Sequence, residues 1–575
     1  MFTKKFNFIF KTQTSSQNSI LSDFIVIIAI ALILFTGVEL ISNHAASTGR
    51  LNINLSIKSL MIYAVFSTAR MFAAYILSFI FTILYGYFAI RSKIAEMILL
   101  PTLDVLQSVP ILSFLPVVLL SLSVFIPVRI AAEIASIVLI FTSQVWNMTF
   151  GWYQSLKTIP KDLKEATKIF NINGWLKFKY LDLPFGSISL IWNSIMSWAG
   201  GWFFLMAAEY FSVGNKNFIL PGIGSYLQQA ANKKDLNAII AGVITLIVII
   251  VILDQFIWRP LLAWSERFKL QLTTGEFEYT SWFYNILLKS KIALKLKTML
   301  NFLLDKTMPL IIGRLPDYEQ VKKEKKRAAN PFLYLIGSII IIVILWYVFK
   351  MVKTLSLINI HQWLEIFKDL LYTFLRVATA LIIALLWTIP VGVSIGSNPK
   401  LAKWLQPIIQ LAASIPATAL FPVILLILIK APGSLNTASI FLMLMGTQWY
   451  LLFNVIAGAT AIPEDLKNIA CSLNLSTFQK WKNLILPALF PYIITGVITA
   501  GGGAWNASIV AEYVNFGNKT IKVPGIGAMI TYSTAKGNYP LLLASTIVMI
   551  LAVVLINRLL WKPLYRLAEK RYHFD

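Results

Sequence analysis

Four ionisable residues lie within, or at the ends of, long apolar runs of this sequence: Arg70, Glu209, Arg376 and Glu512. Charge in hydrocarbon is costly, so such groups face a bundle interior or a water-filled pathway and find a partner there. Two readings stay open at this point. The arginines can meet an anionic solute, or each can neutralise a glutamate and lock helices together. Other chemistry is scarce. The single cysteine, Cys471, leaves no internal disulfide. His44, His361 and His573 are too scattered for metal-ligand spacing. No Gly-x-x-x-x-Gly-Lys-[Ser/Thr] phosphate loop occurs, so the chain carries no ATPase of that kind, and it is read as performing no chemical catalysis.

Backbone features join the side chains. Proline inside a span frees carbonyls that persist only against a neighbouring helix or a wet cavity. Pro110, Pro116, Pro416 and Pro422 therefore mark bent helices beside a pathway, or kinks tolerated against a neighbour. Trp198-Ala-Gly-Gly-Trp202 and Gly501-Gly-Gly-Ala-Trp505, followed by Asn506, give one wide face and one close-packing face.

The elements that must position these residues follow from composition. The 575 residues are 58% hydrophobic and 13% charged, with mean hydropathy +0.73. That excludes a soluble domain and gives an all-α polytopic membrane protein. The net charge of +25 resides in segments flanking apolar runs, as the positive-inside rule requires, so nucleic acid is not the expected partner. Phe24–Ile41 is long enough to span the bilayer and is read as an uncleaved first helix. Spans follow at Met61–Ile90, Ile111–Ile126, Ile130–Trp152, Ile188–Ala208 and Ile239–Trp258. The second half repeats them near Phe332–Phe349, Leu371–Val391, Leu420–Ile429, Thr437–Ala457, Tyr492–Val510 and Leu541–Leu560.

The repetition is detailed. Ala208-Glu209-Tyr210 and Ala511-Glu512-Tyr513 stand 303 residues apart, as do Pro221-Gly-Ile-Gly224 and Pro524-Gly-Ile-Gly527. Further upstream, Arg70 and Arg376 are 306 apart. The expected organisation is a first repeat over 1–262, a basic linker with an interfacial helix over 263–330, and a second repeat over 331–575. Each repeat has about six crossings, an even number that makes the repeats parallel.

Between the fourth and fifth spans of each half runs a polar stretch, 159–184 and 462–487. Ile-Pro opens each, and carboxylates (Asp162; Glu464 and Asp465) meet the positive end of the helix that follows. In the first, Lys161, Lys164 and Lys168 share one face, with Leu163, Ala166 and Phe170 on another. Asn171 and Asn474 sit where a left-handed residue would end the helix. Each stretch is read as a short amphipathic helix, a break, a second basic helix and a closing Leu-Pro.

These stretches resemble the cytoplasmic coupling loop of binding-protein-dependent ABC importer permeases. Glu165-Ala166-Thr167, Asn171 and Leu181-Asp182-Leu183-Pro184 occupy the positions of that loop's Glu-Ala-Ala, Gly and Leu-Pro. In the second copy Asn468-Ile469-Ala470, Asn474 and Leu484-Ile485-Leu486-Pro487 do so, with the glutamate lost and glycine replaced by Asn in both. Ser67–Arg70, Thr373–Arg376, the paired prolines and the Ala-Glu-Tyr…Gly-Ile-Gly run are similar to the nitrate/sulfonate/taurine type.

The resemblance implies two type I permease units in one chain, moving a small, anionic solute inward by alternating access. It implies two ABC ATPase subunits on the loops, holding ATP and Mg, an extracytoplasmic substrate-binding protein, and a lipid-facing surface; this chain itself binds no cofactor. The location implied is the cytoplasmic membrane with both termini cytoplasmic. The alternatives are a secondary transporter of two parallel repeats, which has no use for the duplicated loop, and a structural membrane component without solute flux.

Overall fold

The computed structural model describes residues 53–268, 281–289 and 345–571, apart from 92, 109–110, 114, 171, 173, 214–215, 429–433 and 517–518, and also a few positions between 298 and 306. Phe24–Ile41, most of Phe332–Phe349, Pro110, Asn171 and most of the linker lie outside the described residues.

The first half begins with α1 (Ile57–Arg91) and α2 (Lys93–Ser108). A 3-10 turn (Ile111–Ser113) and the nine-residue α3 (Leu115–Ser123) follow, then α4 (Val128–Thr158). The polar stretch forms α5 (Lys161–Ile169) and α6 (Gly174–Lys177), and leads into α7 (Leu183–Glu209). A hairpin of β1 (Tyr210–Val213) and β2 (Lys216–Ile219) precedes α8 (Ile223–Lys233), α9 (Leu236–Leu253) and α10 (Arg259–Ser265). From the linker, α11 (Trp282–Lys289) is described.

The second half repeats the order: α12 (Ile360–Gly396), α13 (Pro399–Ser414), α14 (Ala417–Leu428), α15 (Ser434–Thr460), α16 (Glu464–Ser472) and α17 (Thr477–Lys480). Then come α18 (Leu486–Ala511), β3 (Tyr513–Phe516), β4 (Lys519–Lys522), α19 (Ile526–Lys536), α20 (Tyr539–Ile556) and α21 (Lys562–Arg571). In each half a first long helix packs on the helix before the polar stretch, and that one on the helix after it. One continuous core of buried apolar residues draws on both halves.

The structure refines the expected architecture in three places. Among the described residues, seven helices are long and apolar enough to cross a membrane, eight if one bent pair counts as a single span. The expected spans Ile111–Ile126 and Leu420–Ile429 are not single straight helices of that length among the described residues. At 1.5 Å per residue, the nine residues of α3 fall well short of the hydrocarbon core. In the second half α14 is bent by 73° from the helix before it, at Ile415-Pro416, where proline removes the N–H that a continuing helix needs. The all-α fold also carries two short hairpins. The Tyr-Phe-Ser-Val and Lys-Asn-Phe-Ile strands pair antiparallel, with Phe211 stacked on Phe218 at 5.3 Å, and β3–β4 repeats the register. The Gly-Asn between the strands is the sequence signal for such a hairpin.

Third, the Leu-Pro motifs do not close a helix. A five-residue π-turn (Phe178–Asp182) joins α6 to α7, and another (Trp481–Ile485) joins α17 to α18. Two more, Asp254–Trp258 and Asn557–Trp561, join α9 to α10 and α20 to α21. All four end two residues before a proline: Pro184, Pro260, Pro487 and Pro563. Proline cannot donate to the carbonyl four residues back, and its ring crowds that carbonyl. The wider turn, bonded one residue further along (Leu183 N–H to the Phe178 carbonyl), relieves the crowding and lets the helix continue.

Candidate functional site: two buried ion-pair networks, two coupling loops and the cavities between the halves

Arg70 and Glu209 meet directly. The Arg70 Nη1 donates to Glu209 Oε1 at 2.8 Å, with side chains only 5% and 0% exposed. Ser67 Oγ donates to the same oxygen at 2.6 Å and itself accepts the Ile223 N–H, while Gly224 N–H donates to Glu209 Oε2 at 2.7 Å. Arg70 Nη1 also donates to the Pro221 carbonyl. The carboxylate thus ties α1 to the end of α7 and the start of α8. The second half rebuilds this with Arg376, Glu512 and Thr373. Arg376 Nη1 donates to Glu512 at 2.7 Å, Thr373 Oγ1 at 2.8 Å and Gly527 N–H at 3.0 Å. Ile526 N–H donates to Thr373, and Arg376 Nη2 to the Pro524 carbonyl.

The remaining face of each guanidinium differs. Glu133 takes Arg70 in a two-pronged contact at 2.6 and 2.7 Å; in the second half Asn436 Oδ1 accepts from Arg376 at 3.2 and 2.7 Å. Glu133 and Asn436 stand 303 residues apart, so a carboxylate in the first half faces a neutral amide in the second, where Asp369 lies near Arg376 and accepts the Gly525 N–H. Sequence reading missed both residues. Glu133, an ionisable residue near the start of an apolar helix, was legible by the rule that singled out Arg70.

The two halves meet along α7, α8 and the short helices of the second half, enclosing two cavities. The larger, about 190 Å³, lies where the hairpin ends of both halves converge; its lining includes Met206, Tyr210, Leu227, Phe421, Tyr513 and Ile530. The smaller, about 70 Å³, lies deeper along α7 and is lined by residues such as Phe203, Pro416, Trp449 and Tyr450. Among the described residues, no charged side chain lines either one. Three threonines of the larger cavity, Thr418, Thr531 and Thr534, already donate to backbone carbonyls.

The remaining pathway candidates distribute unevenly. Pro416 lines the smaller cavity, and Pro116 and Pro422 lie within α3 and α14. Trp198 is packed edge-on to Phe72, Tyr75 and Trp258 inside the first half, and Trp202 and Trp505 are buried. The Trp198 and Trp202 indole N–H groups have no hydrogen-bond partner among the described residues. Asn506 crosses the interface: its Oδ1 accepts the Ile111 N–H at 2.5 Å. At the repeat-related place the Phe203 carbonyl accepts from Thr418 at 3.3 Å. The glycine pairs also differ. A Cβ at Gly201 would meet Gln144 at 2.6 Å, whereas Gly502 faces open space.

At the opposite end of the helices lie the two polar loops. Asn474 adopts the left-handed conformation (φ 49°), and Leu475 N–H returns to the Ala470 carbonyl at 3.2 Å. The same bond, Ile172 N–H to the Thr167 carbonyl at 3.0 Å, closes the first loop's helix. Ser476 and Gln479 then cap α17 reciprocally. Glu165 and Asn468 are exposed, Ala166 is half-buried and Ala470 buried. The C-terminal apolar residues of α5 point away from the bundle: Ile169 is 81% and Phe170 75% exposed. Burial and the neighbouring Lys177 hold the Lys164 ammonium below its usual range.

The profile of the family described as "Binding-protein-dependent transport system inner membrane component" matches residues 82–257 and again 388–572. The chain belongs to this family. It is a duplicated permease, one unit in each half, non-catalytic and multi-pass in the membrane. The nitrate import permease protein NrtB of Synechococcus elongatus is 33% identical over 144 residues, 25% of this chain and 50% of that protein. The bicarbonate transport system permease protein CmpB of the same species is 34% identical over 164 residues, 28% and 55%. The taurine transport system permease protein TauC of Escherichia coli is 30% identical over 139 residues, 24% and 49%. The chain spans about half the length of these relatives.

Proposed function

We propose that this chain is the complete transmembrane pathway of an ATP-driven importer, its two permease units spanning about 1–262 and 331–575. Two ATPase subunits dock on 159–184 and 462–487, and a substrate-binding protein docks over the hairpins. The solute is a small anion, in keeping with the nitrate, bicarbonate and taurine in the relatives' names. The loops, the linker and both termini face the cytoplasm, and 215–237 faces outward. The observation that carries the reading is the outward apolar edge of the loops: Ile169 and Phe170 in one, Ile469, Leu473 and Phe478 in the other. These side chains are exposed at the end of the bundle, beside lysines, and want a protein partner.

In this reading Arg70 and Arg376 brace the bundle instead of touching solute, since their donors are taken by carboxylates, an amide and carbonyls. The solute passes between the halves, along Pro416, Tyr210 and Tyr513, as the two units rock. Reconstitution of the chain with its ATPases and binding protein tests this directly. Uptake of nitrate, bicarbonate or taurine that requires hydrolysable ATP supports it; uptake that persists with the ATPases omitted contradicts it.

A further inference from the structure

The two coupling loops, alike in backbone, differ in what holds them. In the first, Asp305 of the linker reaches the loop's second helix. Its Oδ1 accepts from Trp175 Nε1 at 2.9 Å and from Lys179 Nζ at 2.8 Å, and its Oδ2 from Lys179 at 2.7 Å. Trp175 is buried and stacked on Phe178 at 5.8 Å, and Phe178 packs edge-on against Trp152 of α4 at 6.2 Å. The start of the linker is anchored to the same half. Trp282 Nε1 donates to Gln255 at 3.2 Å, Phe256 packs against Trp282 and Phe283, and Arg267 donates to the Tyr284 hydroxyl.

The second loop keeps the lysine, Lys482, and has Trp481 where the first has Phe178, packed with Ile485 on a small buried cluster. Phe478 replaces Trp175, so no indole stands at that place, and its ring is 74% exposed. Neither α17 nor its π-turn contains a buried residue. Leu559, which replaces Phe256, is exposed as well.

We infer that Asp305 is an ionic latch: it holds the first coupling loop against the bundle through Trp175 and Lys179, a contact the second loop lacks among the described residues, so the loops transmit motion unequally. A charge-assisted contact of this kind is about twice as strong as a neutral one, and the indole bond fixes its direction. The Lys179 ammonium, and after it the Trp175 indole, hold the Asp305 carboxyl below its ordinary 3.8. A depressed carboxylate contributes above its unfolded pKa and is lost only as pH falls through the lower folded value. The latch is therefore closed throughout the neutral range. Its existence does not depend on the docking of ATPases; its consequence for their coupling rests on the function proposed above.

Spin labels at Tyr180→Cys and at the repeat-related Asn483→Cys, each in a Cys471→Ser background and in lipid nanodiscs without partners, read the latch. The label at 180 should be less mobile than that at 483, from pH 5 to pH 9. Asp305→Asn and, separately, Lys179→Met should abolish the difference by loosening position 180 alone; Asp305→Glu should retain it. Equal mobility at the two sites in the unaltered chain, or a difference that survives both substitutions, would overturn the latch. Because the chain is measured alone, a failure here is distinct from a failure to bind ATPases.

Discussion

Glu133 and Asn436, 303 residues apart, occupy the same place beside the arginines of the two halves. Arg70 is shared by two carboxylates, Arg376 by one carboxylate and one amide. Both arginines are nearly inaccessible, so each is an internal strut whose loss strands a buried carboxylate.

Breaking such a pair from one side typically costs about 3–5 kcal/mol, because the remaining charge stays buried. Arg70→Met and Arg376→Met should therefore lower the yield and thermal stability of the whole chain in detergent to a similar degree, since each strands one fully buried carboxylate. Adding Glu209→Gln to Arg70→Met should recover part of the loss. Normal stability with selectively lost transport would instead place the arginines in the solute pathway.

The glycines that cover these carboxylates are equally constrained. A Cβ on Gly222 would collide with the Glu209 carboxylate and one on Gly525 with that of Glu512. Gly222→Ala and Gly525→Ala should each destabilise by about 1–3 kcal/mol, as overpacking does, seen as a lowered melting temperature. Gly502→Ala, in open space, serves as the neutral control.

Much of this was legible in the sequence. The duplication, the helical polar stretch in each half and the left-handed Asn474 follow from periodicity and spacing, and the arginine–glutamate pairing was one of the two readings that the cost of intramembrane charge left open. The short helices α3 and α14 were less so, since an apolar run gives no sign of where its helix breaks or bends. Nor does proline announce a π-turn: Leu-Pro reads as a stop, and only the register of the turn before it shows that the helix continues. An amphipathic pattern does not say whether its partner is the same chain, so the outward exposure of Ile169 and Phe170 was visible only in the structure.

The two loops should respond differently to mutation at their equivalent positions. Exposed Glu165 can form a charge-assisted bond with a partner, whereas exposed Asn468 cannot. Glu165→Gln should substantially reduce substrate-driven ATP hydrolysis of the reconstituted complex, Asn468→Ala should have the smaller effect, and Asn468→Glu should be tolerated. Equal losses for the first two would remove charge as the distinction.

Cys471 is exposed on the second loop, which makes it a reporter of sidedness. A membrane-impermeant maleimide should label it in inside-out vesicles and not in intact cells. Labelling from outside intact cells would invert the topology proposed.

The central claim is that this duplicated permease is driven by ATPases seated on its two loops. Isolating the chain from its native membrane in mild detergent and counting the ABC ATPase that accompanies it tests that claim most directly. The account predicts two ATPase copies per chain, lost when Phe170 and Phe478 are both replaced by Asp. A chain that carries no ATPase, and still moves solute on an ion gradient alone, would contradict it.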